Sequence, residues 1–203
     1  MADAMRAFAA GLGLLLTLGL TSALAQTPQG AQVPAPERHL ETGLTFPATL
    51  GPARKVSSND YGKSNNKPQL GFYWGYQTAQ LTTSFYVYNF GITSIATGAG
   101  NNAVLQQFQQ AQSDIDAGAK AGRYEQLQVS KAPGNCTFGT LTFRCVTYSA
   151  IRPTDKRPVF TRLLVAGYRN YFLKIRQDWP QDTPAAGRDV DAVVLSLAAS
   201  ATL

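Results

Sequence analysis

The stretch Leu70 to Phe90 constrains this chain more than any other. It reads Leu-Gly-Phe-Tyr-Trp-Gly-Tyr, then Gln-Thr-Ala-Gln, then Leu-Thr-Thr-Ser-Phe-Tyr-Val-Tyr-Asn-Phe. Two runs of aromatic and β-branched residues, which pack well on a pleated surface, flank four residues suited to a turn. The pattern predicts a hairpin at the centre of an antiparallel sheet. Side chains alternate along a strand. In the second run Leu81, Thr83, Phe85 and Val87 therefore share one face, assigned to the core, and Thr82, Ser84, Tyr86, Tyr88 and Phe90 share the other. On this reading Tyr86 and Tyr88 turn their hydroxyls toward water or a ligand.

The N-terminus speaks to compartment. Arg6 precedes an apolar run from Ala7 to Leu20, and Ala23 and Ala25 are the small residues that signal peptidase accepts, so residues 1–25 read as a signal peptide cleaved before Gln26. The apolar run is shorter than the ~20 residues that a membrane-spanning helix needs. The expectation is a periplasmic or secreted chain with no transmembrane segment after signal removal. In such a compartment the two cysteines, Cys136 and Cys145, read as a disulfide. A redox pair is the alternative, although the spacing is far from Cys-x-x-Cys. The formal net charge of +6 favours anionic partners such as lipid head groups, acidic polysaccharides or an acidic protein. Nucleic acid fits the sign but not the compartment, and plain solubility also accounts for the charge.

Taken in order, residues 26–43 hold Gln, Pro, Ala and Gly with hardly a large apolar side chain, and read as a flexible tail. A single domain is expected over 44–203, opening with short strands at Leu44–Phe46 and Leu50–Val56, then a turn-rich loop over 57–68. After the hairpin, Val104, Leu105, Phe108, Ala111, Ile115 and Ala119 recur at helical spacing, with Asn102 as the expected N-cap and Gly122 as the stop. Strands are predicted over Tyr124–Val129, Thr140–Arg152, Val159–Ala166 and Tyr171–Trp179. Thr183 and Pro184 then open a terminal helix with Val190, Val193, Val194, Leu197 and Ala198 on one face. In the last strand Lys174 and Arg176 share a face, and if Arg162 joins them three cations gather on the outside of the sheet. The fold class expected is α+β, an antiparallel sheet with two amphipathic helices packed on it.

This order of elements resembles the PsbP-like fold of extrinsic photosynthetic proteins and small bacterial envelope proteins. The likeness lies in element order and strand character over Leu44 to Leu203 and transfers no site residue. It implies an accessory or binding role rather than catalysis.

The chemistry of the chain points the same way. The single histidine, His39, falls in the expected tail, so a Ser-His-Asp or Cys-His mechanism lacks its base, and neither a metal-ligand spacing nor a phosphate-cradling motif is present. No cofactor is expected. The candidate binding surface is Tyr86, Tyr88, Arg162, Lys174 and Arg176, meeting an anionic envelope component or protein partner. Its plain alternative is sheet packing and solvated charge. Two other functions stay open: an exported hydrolase using a carboxylate pair, and a carrier of a small apolar ligand.

Overall fold

The computed structural model describes residues 34–201. The expected signal peptide, residues 1–25, and the first part of the expected tail lie outside the described residues. Strands β1 (Thr49–Leu50), β2 (Ala53–Asp60), β3 (Phe72–Gln77) and β4 (Thr82–Tyr88) come first, with a one-turn helix α1 (Tyr61–Ser64) between β2 and β3. Helix α2 (Asn102–Lys120) follows, then β5 (Glu125–Phe138), β6 (Leu141–Ile151), β7 (Pro158–Tyr168), β8 (Tyr171–Pro180) and helix α3 (Pro184–Ala198). The strands make one antiparallel sheet in the order β1-β2-β3-β4-β8-β7-β6-β5. The fold is α+β. Two up-and-down meanders meet where β8 returns to pair with β4.

Alternation along the strands gives the sheet two buried faces. On one, Trp74, Tyr76, Phe85, Val87, Phe143, Leu164, Leu173 and Ile175 pack against Val190, Val193, Val194 and Leu197 of α3. On the other, Tyr88, Val146, Tyr148, Leu163, Val165 and Phe172 pack against Val104, Phe108, Ala111 and Ile115 of α2. Those four α2 residues recur every three or four positions, which keeps them on one helix face. The N-cap is Asn101, one residue before the one expected, and its side chain accepts the Val104 N–H at 3.0 Å. Gly122, at φ 82°, ends the helix: Arg123 N–H returns to the Gly118 carbonyl at 2.9 Å, which closes off the last turn. At α3 Pro184 takes the first turn as expected, but the Thr183 hydroxyl makes no cap bond and instead meets Asp182 and Arg157.

Residues 34–43 correct the expected tail, because they are packed. Leu40 is their one large apolar side chain, and the hairpin supplies an anchoring group: Trp74 Nε1 donates to the Pro36 carbonyl at 2.9 Å, while just beyond the segment Tyr76 Oη donates to the Pro47 carbonyl at 2.7 Å. Phe46 stacks on Trp74 with centroids 3.7 Å apart. His39 is fully buried, edge-on to Phe72 and Tyr171 at centroid distances of 5.1 and 4.7 Å. Thr42 N–H donates to its Nδ1 at 3.2 Å, so the neutral ring carries its proton on Nε2.

The predicted strand over Tyr124–Val129 is in fact the start of the 14-residue β5, which runs through Lys131, Pro133, Gly134 and Cys136 to Phe138. Pro133 removes a ladder donor and three register shifts break the pairing with β6, so the local composition hides the strand. Cys136 and Cys145 form a disulfide across the β5–β6 hairpin. Among the described residues no helix is long and apolar enough to cross a membrane.

Two measurements test this account. Cys136→Ser with Cys145→Ser should lower stability by about 2–3 kcal/mol in chemical denaturation, the cost of releasing so short a loop. The His39 pKa lies below its usual value because burial outweighs the upward pull of Glu41. The unfolded chain therefore binds a proton that the folded chain refuses. This contribution is present above about pH 6.5 and lost as the pH falls through the folded pKa. The denaturation midpoint should drop between about pH 7.5 and about pH 5.5, and His39→Gln should flatten that slope.

Candidate functional site

The site lies at the β4–β8 seam, where register fixes which side chains meet. Across the α2 face one transverse row runs Asn59, Tyr73, Tyr86, Lys174, Val165, Arg144. The next runs Ser57, Gly75, Ser84, Arg176, Leu163, Val146, and a third holds Thr82, Asp178, Thr161 and Tyr148. Tyr86 is thus the direct cross-strand neighbour of Lys174, and Arg176 lies one row along on the same face.

Lys174 sits on rings. Its Nζ lies 4.6 Å from the Tyr86 centroid and 5.5 Å from that of Tyr88, a cation–π arrangement on two faces. Burial lowers its pKa, Arg176 adds to that and Asp114 opposes it. Arg176 donates through Nη2 to Tyr124 Oη at 3.3 Å and to Thr161 Oγ1 at 3.2 Å. Tyr124 in turn donates to Asp178 Oδ1 at 2.9 Å. Burial, then Asp178, raise the Tyr124 pKa, which keeps the phenol a donor at neutral pH. Neither Lys174 nor Arg176 forms an ion pair with a carboxylate among the described residues. Arg176 Nε, Arg144 Nε and Tyr88 Oη are buried without a hydrogen-bond partner on the protein.

The structure corrects the expected surface in two respects. Lys174 and Arg176 do not stand on an outer face: the margin of α2 covers their row, Tyr88 is 4% exposed, and Tyr86 and Lys174 are half-buried. Arg162 does not join them. It pairs with Gln177 in register and so points to the α3 face, where Nε and Nη2 reach Gln177 Oε1 at 3.0 and 2.7 Å and Nη1 reaches Asp191 Oδ1 at 2.8 Å. Phe138 and Trp179 flank its guanidinium at 5.3 and 5.7 Å. Gln177 completes the set by donating to the Val190 carbonyl at 2.8 Å. Arg162 is therefore a tie between sheet and α3. Tyr124, Asp178 and Arg144 were missed: Arg144 alternates with Val146 and Tyr148, a signal that the sequence contained, whereas Tyr124 stands in a turn.

A cleft of about 390 Å³ opens beside this network, lined by Thr82, Arg123, Tyr124, Arg152, Val159 and Asp178 among others. Tyr124 and Asp178 belong to both, so the cleft and the buried cations share a wall. Arg152 there is engaged by Asp155, Nε to Oδ1 at 2.9 Å, which draws the Asp155 carboxyl down to about 2. A second cleft, about 340 Å³, brings Glu41 and Asp60 to one concavity with Phe72 and Tyr171. Asp60 Oδ1 is already occupied as the cap of α1, accepting Lys63 N–H at 2.8 Å. Among the described residues no group of three or more His, Cys, Asp or Glu side chains is placed to hold a metal ion.

Comparison with known protein families, curated proteins and solved structures finds no match to this chain. The site therefore stands on its own geometry.

The bridging role of Tyr124 is directly testable. Tyr124→Phe deletes the donor to Asp178 and the acceptor for Arg176, and should cost about 1–3 kcal/mol in equilibrium unfolding. An unchanged midpoint would show that water replaces the hydroxyl without loss.

Proposed function

We propose that this chain is an exported, non-enzymatic accessory or binding protein of the cell envelope, which holds an anionic component or protein partner at the β4–β8 seam. One observation carries the reading: Lys174 and Arg176 lie side by side on one sheet face, both half-buried, with no carboxylate ion-paired to either among the described residues. Desolvated cations without a counterion are costly, and an incoming anion relieves that cost. The tyrosine rings under Lys174 hold the ammonium in place, and the neighbouring cleft gives a ligand room beside Tyr124.

Several features support the wider picture. The N-terminal sequence motivates export, and a disulfide suits an oxidising compartment. By analogy of element order alone, we propose a PsbP-like arrangement for this α+β domain. The hydrolase reading is weaker. Asp155, Asp182, Asp191 and Glu125 are each engaged by a cation, and Asp60 caps a helix.

The test uses Lys174→Gln, Arg176→Gln and, as a control on the opposite face, Arg162→Gln. Binding of the wild-type protein to components of its own envelope extract should weaken as salt rises. The two seam variants should retain at least tenfold less, and folded Arg162→Gln should bind as wild type. Equal retention by folded seam variants would remove the seam from consideration.

A further inference from the structure

The end of the sheet where β3 and β8 begin carries an anomaly that the seam does not explain. Leu40 is 81% exposed, Phe90 51% and Ile92 41%, all in the turns at this end. These are not loose tips. Gly43 N–H closes the Leu40 turn onto the His39 carbonyl at 2.7 Å, above a fully buried imidazole. Phe90 N–H donates to the Gln69 carbonyl at 3.0 Å, Ile92 N–H to the Asn89 carbonyl at 2.9 Å, and Gly91 N–H to Asn89 Oδ1 at 3.0 Å. Phe90 also has φ 51°, a left-handed backbone that a bulky residue rarely adopts and that glycine would adopt freely. The chain thus keeps large apolar side chains exposed on ordered turns; the Phe90 ring also packs on Tyr88 at a centroid distance of 4.6 Å, and its backbone is strained.

Between the turns lie cations. The Lys63–Lys67 segment shares the second cleft with Glu41 on one side, and Gln69 ties it to the Phe90 turn on the other. Lys63 and Lys67 are exposed, and among the described residues neither forms an ion pair. Arg38 and Arg169 are exposed at the same end. Of the acidic groups there, Asp60 is bound to the start of α1 and Glu41 lies 3.6 Å from His39 Nδ1, while Glu37 is exposed. Apolar tips interspersed with lysines on a chain of net charge +6 fit a surface that is apolar below and anionic above.

We propose that this end of the sheet docks on an anionic lipid surface, with Phe90, Ile92 and Leu40 entering the headgroup region and Lys63 and Lys67 meeting lipid phosphates. Apolar insertion and electrostatic attraction act together at such interfaces, and either alone is weak. The inference does not rest on the anion-binding reading of the seam.

Flotation with vesicles tests it, using the chain from Gln26 onward, which keeps every described residue. Vesicles of phosphatidylcholine containing phosphatidylglycerol should carry the protein, and pure phosphatidylcholine should carry at least tenfold less. Phe90→Ser with Ile92→Ser, and separately Lys63→Gln with Lys67→Gln, should each reduce partition at least tenfold. Val129→Ser, an exposed apolar residue on the β5 edge, should leave it unchanged. A Phe90→Trp probe should shift its emission to the blue on binding. Failure of the folded protein to float with anionic vesicles, or equal flotation of the Phe90–Ile92 variant, would overturn the proposal. Self-association lost in that variant, without vesicle binding, would also overturn it and assign the patch to a second copy of the chain.

Discussion

The β4–β8 pairing is the contact on which the rest of the structure depends. Within each meander, strands are joined by local turns and need little chain entropy to meet. The seam joins residues 82–88 to residues 172–178 across the α2 connection and two further hairpins. Such non-local pairing orders a long loop before its contacts form, so it is the entropically demanding step. It is also what makes two faces out of two ribbons. Phe85 opposite Ile175 and Val87 opposite Leu173 give α3 a continuous apolar floor, while Tyr88 opposite Phe172 does the same for α2.

The two sides of that seam treat their polar groups differently. On the α3 side Gln177 is fully buried and bonded to Arg162, Thr83 and the Val190 carbonyl, and Arg162 is further neutralised by Asp191. Each donor and acceptor finds a partner, and the network serves to fix the helix on the sheet. On the α2 side the cations outnumber their partners. Arg176 meets only neutral hydroxyls, Lys174 meets only aromatic faces, and Arg144 lies over the Phe108 ring at 5.9 Å with its Nε sealed off. Asp114 acts on Lys174 only from a distance, since among the described residues no carboxylate forms an ion pair with it. That contrast within a single pair of strands is the physical basis for the proposal that an anion binds on the α2 face.

How much of this was legible follows from what each signal depends on. The aromatic hairpin is local: alternation and a turn set it, and β3 and β4 lie where those predict. The helices are equally local, since periodicity marks their buried faces. Arg162 was misplaced because alternation within one strand says nothing of its phase against the next. A shift of one residue in the β7–β8 register turns every side chain over, and the register depends on the two-residue turn at Arg169 and Asn170, both with positive φ. Residues 34–43 were misread for a different reason. Composition counts only what a segment brings, and here the ordering groups, Trp74, Phe72 and Tyr171, belong to the sheet it covers. The cleft is assembled from β4, the α2–β5 turn and the β6–β7 turn, and nothing in any one of those segments announces it.

Because the seam both builds the sheet and carries the proposed site, binding and stability are coupled there. Tyr86 opposite Lys174 is at once a cross-strand packing pair and the cradle for the cation, so shortening either side chain alters both. The cation–π contact favours the charged ammonium while burial favours the neutral amine, and the balance sets how strongly an anion is attracted. On the proposed reading, a partner that supplied negative charge at this point would favour the charged ammonium further, thereby tightening β4 against β8. Ligand binding should then be felt as added cohesion between the two meanders. The long-range contact most demanding to form is the one that a bound anion would strengthen.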